Sequence, residues 1–387
     1  MRVARLLGTL GLGLALGLGT IRAEEPSTGT IEPTTWPWRP ARDSYQPCCP
    51  PSVITPPAPQ GSGTGSASGS PTEQQPNMQG AQDQFASAQE AGSGAGASAP
   101  NMFGDIVGFY GRSSSTSVSV SPGSTPTSRV VTVVNLGGFK ISDNESPRPV
   151  DRVFMVYNYY NDVNHSFNPP GTPRTDVHRE TIGFEKTILD GNASFGLRAP
   201  FIQAVSDGHD DSQFGDMTIT TKYALVNDAD TVLSGGVLIT VPTGKAFHSD
   251  AGTIHPVYIQ PWSGFLLSVG DLYLHGFVDI AIPTDSRDVL LAETHLGVGY
   301  WLYRSECNDA ILSGVAPTVE IHLNNPLTHR YPSHASDPIF LADQANLTVG
   351  TVFIGRRGSQ FGLAVGVPLV GPKPFEVEGI ASFNLRF

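Results

Sequence analysis

Carboxylate and histidine side chains recur at two-residue spacing in two neighbouring segments of the C-terminal half. Glu293 and His295 lie in the first segment, and Glu320 and His322 lie in the second. Side chains two residues apart share one face of a β-strand, so each pair would project to one side if both segments are strands. Carboxylates and imidazoles placed together can share a proton, form ion pairs or bind a transition metal.

The connection "RSECNDA" between these segments predicts how the pairs meet. A turn centred on residues 307–308 sets Glu293 opposite His322 and His295 opposite Glu320. A pairing shifted by two residues would set Glu293 against Glu320, and like charges directly opposite one another are destabilising. We therefore favour the acid–histidine register. We interpret the group as a ladder of hydrogen bonds and salt bridges rather than as a metal site.

Segments that alternate in period two must position these side chains. From Val150 onward, stretches of roughly 10–13 residues alternate apolar and polar positions between Gly, Asn, Asp and Pro. The same alternation places Asp279 on the inward face of the sheet, the face that also carries His295. We predict strands at 151–163, 177–189, 193–205, 214–226, 231–243, 255–269, 272–283, 290–303, 311–324, 344–356, 360–370 and 376–387. They are longer than the five or six residues of soluble sheets and match a tilted strand that crosses a membrane.

The connections between the predicted strands alternate between short and generally longer. Short turns on one rim, long loops on the other and an even strand number are the layout of outer-membrane barrels. We therefore predict an all-β fold, a transmembrane antiparallel up-and-down β-barrel of about 12 strands. A pairing of 130–141 with 115–121 would raise the number to 14. We favour 12, with this early hairpin as a luminal or rim element.

The N-terminal quarter of the chain differs in composition from the rest. Residues 1–23 combine an Arg-containing start with an apolar stretch and predict a signal peptide. Residues 24–100 are rich in Pro, Gly and Ser and predict a disordered tail. Residues 101–150 are expected to be a plug or early hairpin segment, and 151–387 the outer-membrane barrel.

Composition excludes several functions. The net charge of -12 argues against binding to nucleic acid. Three cysteines, Cys48, Cys49 and Cys307, cannot form a complete set of intramolecular disulfides, and the adjacent pair has no further ligand at a useful spacing. We expect no cofactor and no resident metal.

An enzyme is the other class to consider, because some outer-membrane barrels are lipid hydrolases. Ser313 is expected to face outward, whereas His295 and His322 are expected to face the lumen. No Ser–His–acid set therefore shares one face, and we predict no catalytic residues.

The charged segment "DNESPRPVDR", residues 143–152, alternates in sign and contains two prolines. It fits a salt-bridged corner on the periplasmic side or a constriction inside the pore. We favour the corner.

The layout resembles Gram-negative outer-membrane β-barrel proteins. The terminal "FNLRF" is similar to the C-terminal strand signal by which that family is recognised during barrel assembly. The stretch "GFKISDNESPRPVDRVFMVYNYYNDV" resembles a signature of channel-like barrels linked to the phenol-degradation meta pathway. The resemblance implies an assembly signal in Phe383, Leu385 and Phe387, the barrel-assembly machinery and membrane lipid as partners, and uptake or efflux of small compounds.

The sequence thus predicts a passive channel or transporter for small molecules in the bacterial outer membrane. Its selectivity would come from luminal side chains, namely Arg198, Asp216, Lys222, Asp279, Glu293, His295, Glu320 and His322. The alternative is a structural or adhesive barrel, closed inside, that binds the cell wall or a partner through its tail or loops. The pattern leaves the oligomeric state open.

Overall fold

A computed structural model of the chain describes residues 99–105, 114–118, 127–131, 139–163, 166, 173–206, 209–249, 252–305, 310–330, 339–370 and 373–387. The predicted signal peptide, nearly all of the predicted disordered tail and the three cysteines lie outside this part of the chain.

The described residues form eighteen strands and one 3-10 turn, Arg356–Gly358. In chain order the first nine strands are β1 (Ser114–Val118), β2 (Thr127–Val131), β3 (Arg152–Asn161), β4 (Thr175–Ile188), β5 (Ala193–Ser206), β6 (His209–Phe214), β7 (Met217–Asn227), β8 (Thr231–Val241) and β9 (Phe247–Ser249). The others are β10 (Gly252–Ile254), β11 (Tyr258–Val269), β12 (Leu272–Pro283), β13 (Leu291–Tyr300), β14 (Tyr303–Arg304), β15 (Leu312–Pro326), β16 (Gln344–Gly355), β17 (Gln360–Pro368) and β18 (Val377–Arg386).

Twelve of these strands close into an antiparallel barrel. The order around the wall is β3, β4, β5, β7, β8, β11, β12, β13, β15, β16, β17 and β18, and β18 returns to β3. Val377 pairs with Asn161 at one end of this seam, and Arg386 pairs with Arg152 at the other. The closed ring leaves no free edge along the wall, which is what lets a sheet span a bilayer.

The remaining strands are accessory. β6 extends the hairpin of β5, β14 pairs with β15, and β9 pairs with β10 in a long connection. β1 and β2 form a separate two-stranded sheet, with Ser114 opposite Val131. The early hairpin is therefore outside the wall pairing, and the prediction of twelve rather than fourteen wall strands is confirmed.

Side chains alternate across the wall as the period-two pattern predicts. On β13, Leu296, Val298 and Tyr300 are exposed, whereas Glu293 and His295 are buried. Exposed apolar side chains recur on strand after strand and form an outer apolar surface. An apolar outside and a polar inside are typical of transmembrane barrels, and each of the twelve predicted strands overlaps an observed one.

Tight turns connect several wall strands on one rim. Gly191 and Gly270 have positive φ angles of 80° and 62°, conformations that side chains with a Cβ rarely adopt. On the other rim, long connections fold back on the strand ends and bury Ile254, Val289 and Leu341 against Tyr258 and Leu291. No helix in the described ranges is long and apolar enough to cross a membrane.

Candidate functional site in the barrel lumen

Two stretches that precede the first wall strand lie inside the barrel. We call residues 99–105 and 139–150 the luminal segments. The Met102 amide donates to the Glu145 carbonyl at 2.8 Å, and the Asn144 amide donates to the Phe103 carbonyl at 3.3 Å. Nearly all of their residues are buried, and they contact inward side chains from wall strands all around the barrel. In the described chain, the lumen is therefore filled by the N-terminal part of the protein.

Phe103 is seated against two glycines of the wall. A Cβ placed on Gly350 would lie 2.5 Å from the Phe103 Cε2 atom, and one on Gly362 would lie 2.6 Å from its Cε1 atom. Carbon atoms in contact lie about 3.5–4.0 Å apart, so any larger residue would collide with the ring. The absence of side chains at Gly350 of β16 and Gly362 of β17 thus makes room for the ring.

Glu145 is the centre of a buried ionic cluster. Its carboxylate lies 2.8 Å from Arg152 Nη2, 2.5 Å from Arg198 Nη2 and 2.8 Å from Lys222 Nζ. Glu185 on β4 also pairs with Arg152, at 2.9 Å, and with Lys222, at 2.8 Å. We call these five side chains the Glu145 cluster. Its formal charge with all groups ionised is +1, from three cations and two carboxylates.

The environment of Glu145 keeps it ionised. Burial alone would raise the pKa of its carboxyl, but the charges of Arg152, Lys222 and Arg198 outweigh burial and lower the pKa well below its ordinary value. The carboxylate is therefore a permanent anion that neutralises wall cations at neutral pH.

A second carboxylate of the luminal segments has a similar role. Asp143 pairs with Arg179 of β4 at 2.7 Å. The salt-bridged corner favoured for residues 143–152 is present in part, because Glu145 pairs with Arg152 inside the segment. The other partners of Asp143 and Glu145, namely Arg179, Arg198 and Lys222, are cations of the inner wall. Arg148 lies at the short-turn rim, where Nη1 donates to Asn227 Oδ1 at 2.7 Å.

On β12, β13 and β15, histidines and carboxylates form a second cluster. We call it the acid–histidine cluster. It comprises Asp279, Glu293, His295, Glu320 and His322 of the wall together with Asp105 of the luminal segments. His295 lies directly opposite His322, Glu293 lies opposite Asn324, and Glu320 lies opposite Gly297.

The predicted pairs Glu293–His322 and His295–Glu320 were therefore wrong. The pairing is displaced by two residues from the predicted register. The register of β14 against β15 differs by one residue from that of β13 against β15, since Gly299 pairs with Thr318 but Tyr303 pairs with Val315. The pairing of β14 lies one residue further from the predicted register than that of β13, so the displacement comes from the assumed turn centre and not from this irregularity.

The geometry nevertheless places the two histidines together and brings Asp279 to His295 as expected. His295 Nδ1 lies 3.0 Å from His322 Nδ1, and His295 Nε2 lies 3.7 Å from Asp279 Oδ1. His322 Nε2 lies 3.3 Å from Glu320 Oε2. The cluster is a continuous row of acids and imidazoles along the inner wall.

The luminal segments are tied directly to this row. Glu320 accepts hydrogen bonds from the amides of Phe103, at 2.9 Å, and Gly104, at 3.0 Å. Asp105 pairs with Lys140 at 2.6 Å and accepts from Asn346 Nδ2 at 2.6 Å. Burial opposes ionisation of Asp105, but Lys140 and the neighbouring histidines lower its pKa below the ordinary value.

Among the predicted selectivity residues, Asp216 lies apart from both clusters. It precedes β7 and lies 2.9 Å from His255 Nε2, and it accepts from the Gly244 amide at 2.8 Å. Arg198 and Lys222 belong to the Glu145 cluster, and the other five belong to the acid–histidine cluster. That these side chains select solutes stays a prediction.

Ser313 is not on the outer face, and that expectation was wrong. The pairing of β15 with β16 shifts between Leu312 and Gly314, so the period-two alternation breaks at this position. The hydroxyl is buried and donates to the carbonyls of Ile354 and Gly355.

The side chains of the C-terminal strand point to the sides of the wall that the sequence predicts. Phe383, Leu385 and Phe387 are exposed on the outer surface, and Phe387 keeps 69% of its accessible area. Asn384 points inward and contacts the luminal segments, where its Oδ1 accepts from Asn101 Nδ2 at 3.2 Å. That these aromatic and aliphatic residues act as an assembly signal stays a prediction.

Comparison with known proteins gives similarity in fold. No family model and no curated protein matches the chain. An outer-membrane channel from Pseudomonas putida F1 is similar over 62% of this chain and 96% of its own, with 15% identity and a TM-score of 0.47. The NanC porin matches over 60% and 98%, with 10% identity and a TM-score of 0.36. The β domain of the Bordetella autotransporter BrkA matches over 62% and 100%, with 10% identity and a TM-score of 0.39. The closed twelve-stranded barrel is established by the strand pairing.

Proposed function

We propose that the protein is a channel of the bacterial outer membrane for small molecules, and that the luminal segments close it. The observation that carries the proposal is the nature of the filling. The interior wall is lined with charged side chains, and the groups that neutralise them come in part from a separate N-terminal stretch. Displacing that stretch would leave a polar passage through a closed barrel.

The charge distribution favours small polar or charged solutes. The Glu145 cluster places Arg152, Arg198 and Lys222 on one side of the lumen, and the acid–histidine cluster places Asp279 and Glu293 on another. A passage between cationic and acidic walls acts on solutes through local potential and width. The outer-membrane location is supported by the apolar outer surface together with the polar interior.

A deletion of residues 99–149, which removes nearly all of both luminal segments and with them Asp143 and Glu145, tests this proposal. We expect the deleted protein, refolded in detergent and inserted into planar lipid bilayers, to show a larger unit conductance than the full chain. Retention of the barrel is checked by heat-modifiable migration on gels. A folded deletion variant without any conductance would contradict a channel.

A structural or adhesive barrel is the second candidate, and the filled lumen favours it. In that case the luminal segments would be a permanent core, and their removal would destabilise the barrel without opening a pathway. Full-length protein that pulls down cell wall, combined with a folded and non-conducting deletion variant, would support this function.

A further inference from the structure

Two carboxylates on neighbouring strands face each other inside the barrel beside a histidine. Asp279 of β12 is directly paired with Glu293 of β13. The two residues keep 5% and 1% of their accessible area, and His295 keeps 1%. Like charges directly opposite one another are destabilising, and burial makes their repulsion stronger.

These groups lack hydrogen-bonding partners outside the trio. Among the other described residues, none donates a hydrogen bond to a carboxylate oxygen of Asp279 or Glu293, and none bonds to His295 Nε2. One possible ligand atom from each of the three side chains lies within 4.8 Å of the other two. Buried polar atoms are nearly always partnered, so three such groups pointing at one place indicate a missing ligand.

A neighbouring group is a weaker candidate. Asp105, His295 and His322 also bring ligand atoms within 4.8 Å of one another. However, the oxygens of Asp105 are already held by Lys140 and Asn346, and the two histidines contact each other. The carboxylate of that group is thus already satisfied, whereas those of Asp279 and Glu293 are not.

The contact between the histidines fixes which nitrogen is available. If His295 Nε2 carries a lone pair toward the carboxylates, then His295 Nδ1 carries the proton. It can donate that proton to His322 Nδ1 at 3.0 Å. The His322 proton then lies on Nε2, which faces Glu320 Oε2 at 3.3 Å. Metal-bound histidines ordinarily donate their second nitrogen in this way, which orients the ring.

We propose that Asp279, Glu293 and His295 Nε2 bind one divalent transition-metal ion of the zinc type. One imidazole with carboxylates suits zinc and its neighbours, whereas calcium and magnesium prefer oxygen ligands alone. The two carboxylates neutralise a divalent ion, which replaces their mutual repulsion by attraction. The proposal differs from the sequence-based expectation of no metal, and it holds whether or not the barrel conducts.

Zinc binding to the full chain, produced without a polyhistidine tag and purified in detergent, tests the site. After incubation with Zn²⁺ and gel filtration, we expect one zinc per chain by elemental analysis. Glu293→Gln and Asp279→Asn should each weaken binding by at least about 100-fold, since both remove a ligand charge. Glu378→Gln is the matched control, because it removes another buried carboxylate of the inner wall, one whose Oε1 accepts from Asn158 instead.

X-ray absorption on the zinc-loaded full chain provides a second measurement that needs no variant. We expect one imidazole and carboxylate oxygens at about 2.0–2.2 Å. Sulfur ligands would assign the ion to the cysteines and overturn the proposal. Absence of stoichiometric zinc, or its displacement by equimolar Ca²⁺, would overturn it as well. A proton shared between Asp279 and Glu293 would then account for the pair.

Discussion

At the scale of single residues, Glu145 determines how the lumen is neutralised. Its three cationic partners come from three different wall strands, β3, β5 and β7. A buried ion pair contributes little beyond an apolar equivalent, but removing one partner leaves the other charge uncompensated. The cluster therefore makes the Glu145 carboxylate one of the main attachments of the luminal segments to the wall.

Glu145→Gln should weaken the attachment of the luminal segments to the wall. The amide keeps the shape but removes the carboxylate partner of Arg198 and leaves Arg152 and Lys222 to share Glu185. We expect a loss of about 3–5 kcal/mol in stability. The midpoint of heat-modifiable migration measures this loss, and bilayer recording measures the accompanying rise in open events. Glu376→Gln, on an exposed side chain, is the matched control. Equal midpoints for the two variants would contradict the assigned role.

The sequence allowed the wall half of this cluster to be predicted, but not its centre. Arg198 and Lys222 were placed in the lumen because strand alternation determines which side chains face inward. Glu145 belongs to a stretch without periodicity, so nothing in its spacing indicates where it points. Its partners follow from the path of the luminal segment, which only the three-dimensional structure reveals.

At the scale of elements, the fit between Phe103 and the glycines of β16 and β17 determines how closely the luminal segment approaches the wall. Gly350 and Gly362 provide a surface without side chains on two adjacent strands. The ring and the glycines are complementary in shape, so a change on either side affects both elements.

Gly362→Ala should displace Phe103. The new Cβ would lie 2.6 Å from the Phe103 ring, and relief by backbone or ring movement costs about 1–3 kcal/mol. The Ser382 hydroxyl, which would also lie 2.6 Å from the new Cβ, can rotate away, so we expect the wall to be retained. Limited proteolysis of the luminal segment in folded protein should become faster. Gly379→Ala on β18 is the control, because a Cβ there meets nothing within 4 Å. If both variants resist protease equally, the packing of Phe103 is not what holds the segment.

Wall strands were predictable because an apolar outside and a polar inside impose alternation over ten or more residues. The exact pairing of β13 with β15 was not predictable. Register depends on the local geometry of the hairpin end, and a shift of two residues keeps every side chain on its proper face. The pattern of hydrophobicity therefore carries no information about this shift, although it determines which residues share the cluster.

At the scale of the whole molecule, the filling of the lumen is electrostatic and should respond to acid. The carboxyl groups of Glu145 and Asp105 have pKa values lowered in the folded protein relative to the ordinary values of 4.5 and 3.8. The charged groups that face Glu145 are Arg152, Arg198 and Lys222, with Glu185 beside them.

Because these folded-state pKa values are lowered, the stabilising contribution is complete above the ordinary pKa values. It declines as pH falls below them, by about 1.4 kcal/mol per pH unit for each fully linked group. We expect the contribution of these two groups to thermal stability to be constant from pH 7 down to about pH 4.5 and to be lost progressively below that value. Melting of wild-type protein and Glu145→Gln across this range checks it. The variant should lose less stability on acidification, and parallel curves would rule out Glu145 as the group responsible.

The seam between the first and last wall strands has a consequence for the order of events in time. Asn384, near the end of the last strand, accepts hydrogen bonds through one oxygen from Asn101, Asn144 and Arg152. Asn101 and Asn144 belong to the luminal segments, whereas Arg152 is a wall residue that also pairs with Glu185 at 2.9 Å. If β18 docks on β3 around an empty interior, Asn384 Oδ1 therefore keeps only one of these three hydrogen bonds, that from Arg152. Sealing of the wall is thus most favourable when the barrel already holds its contents.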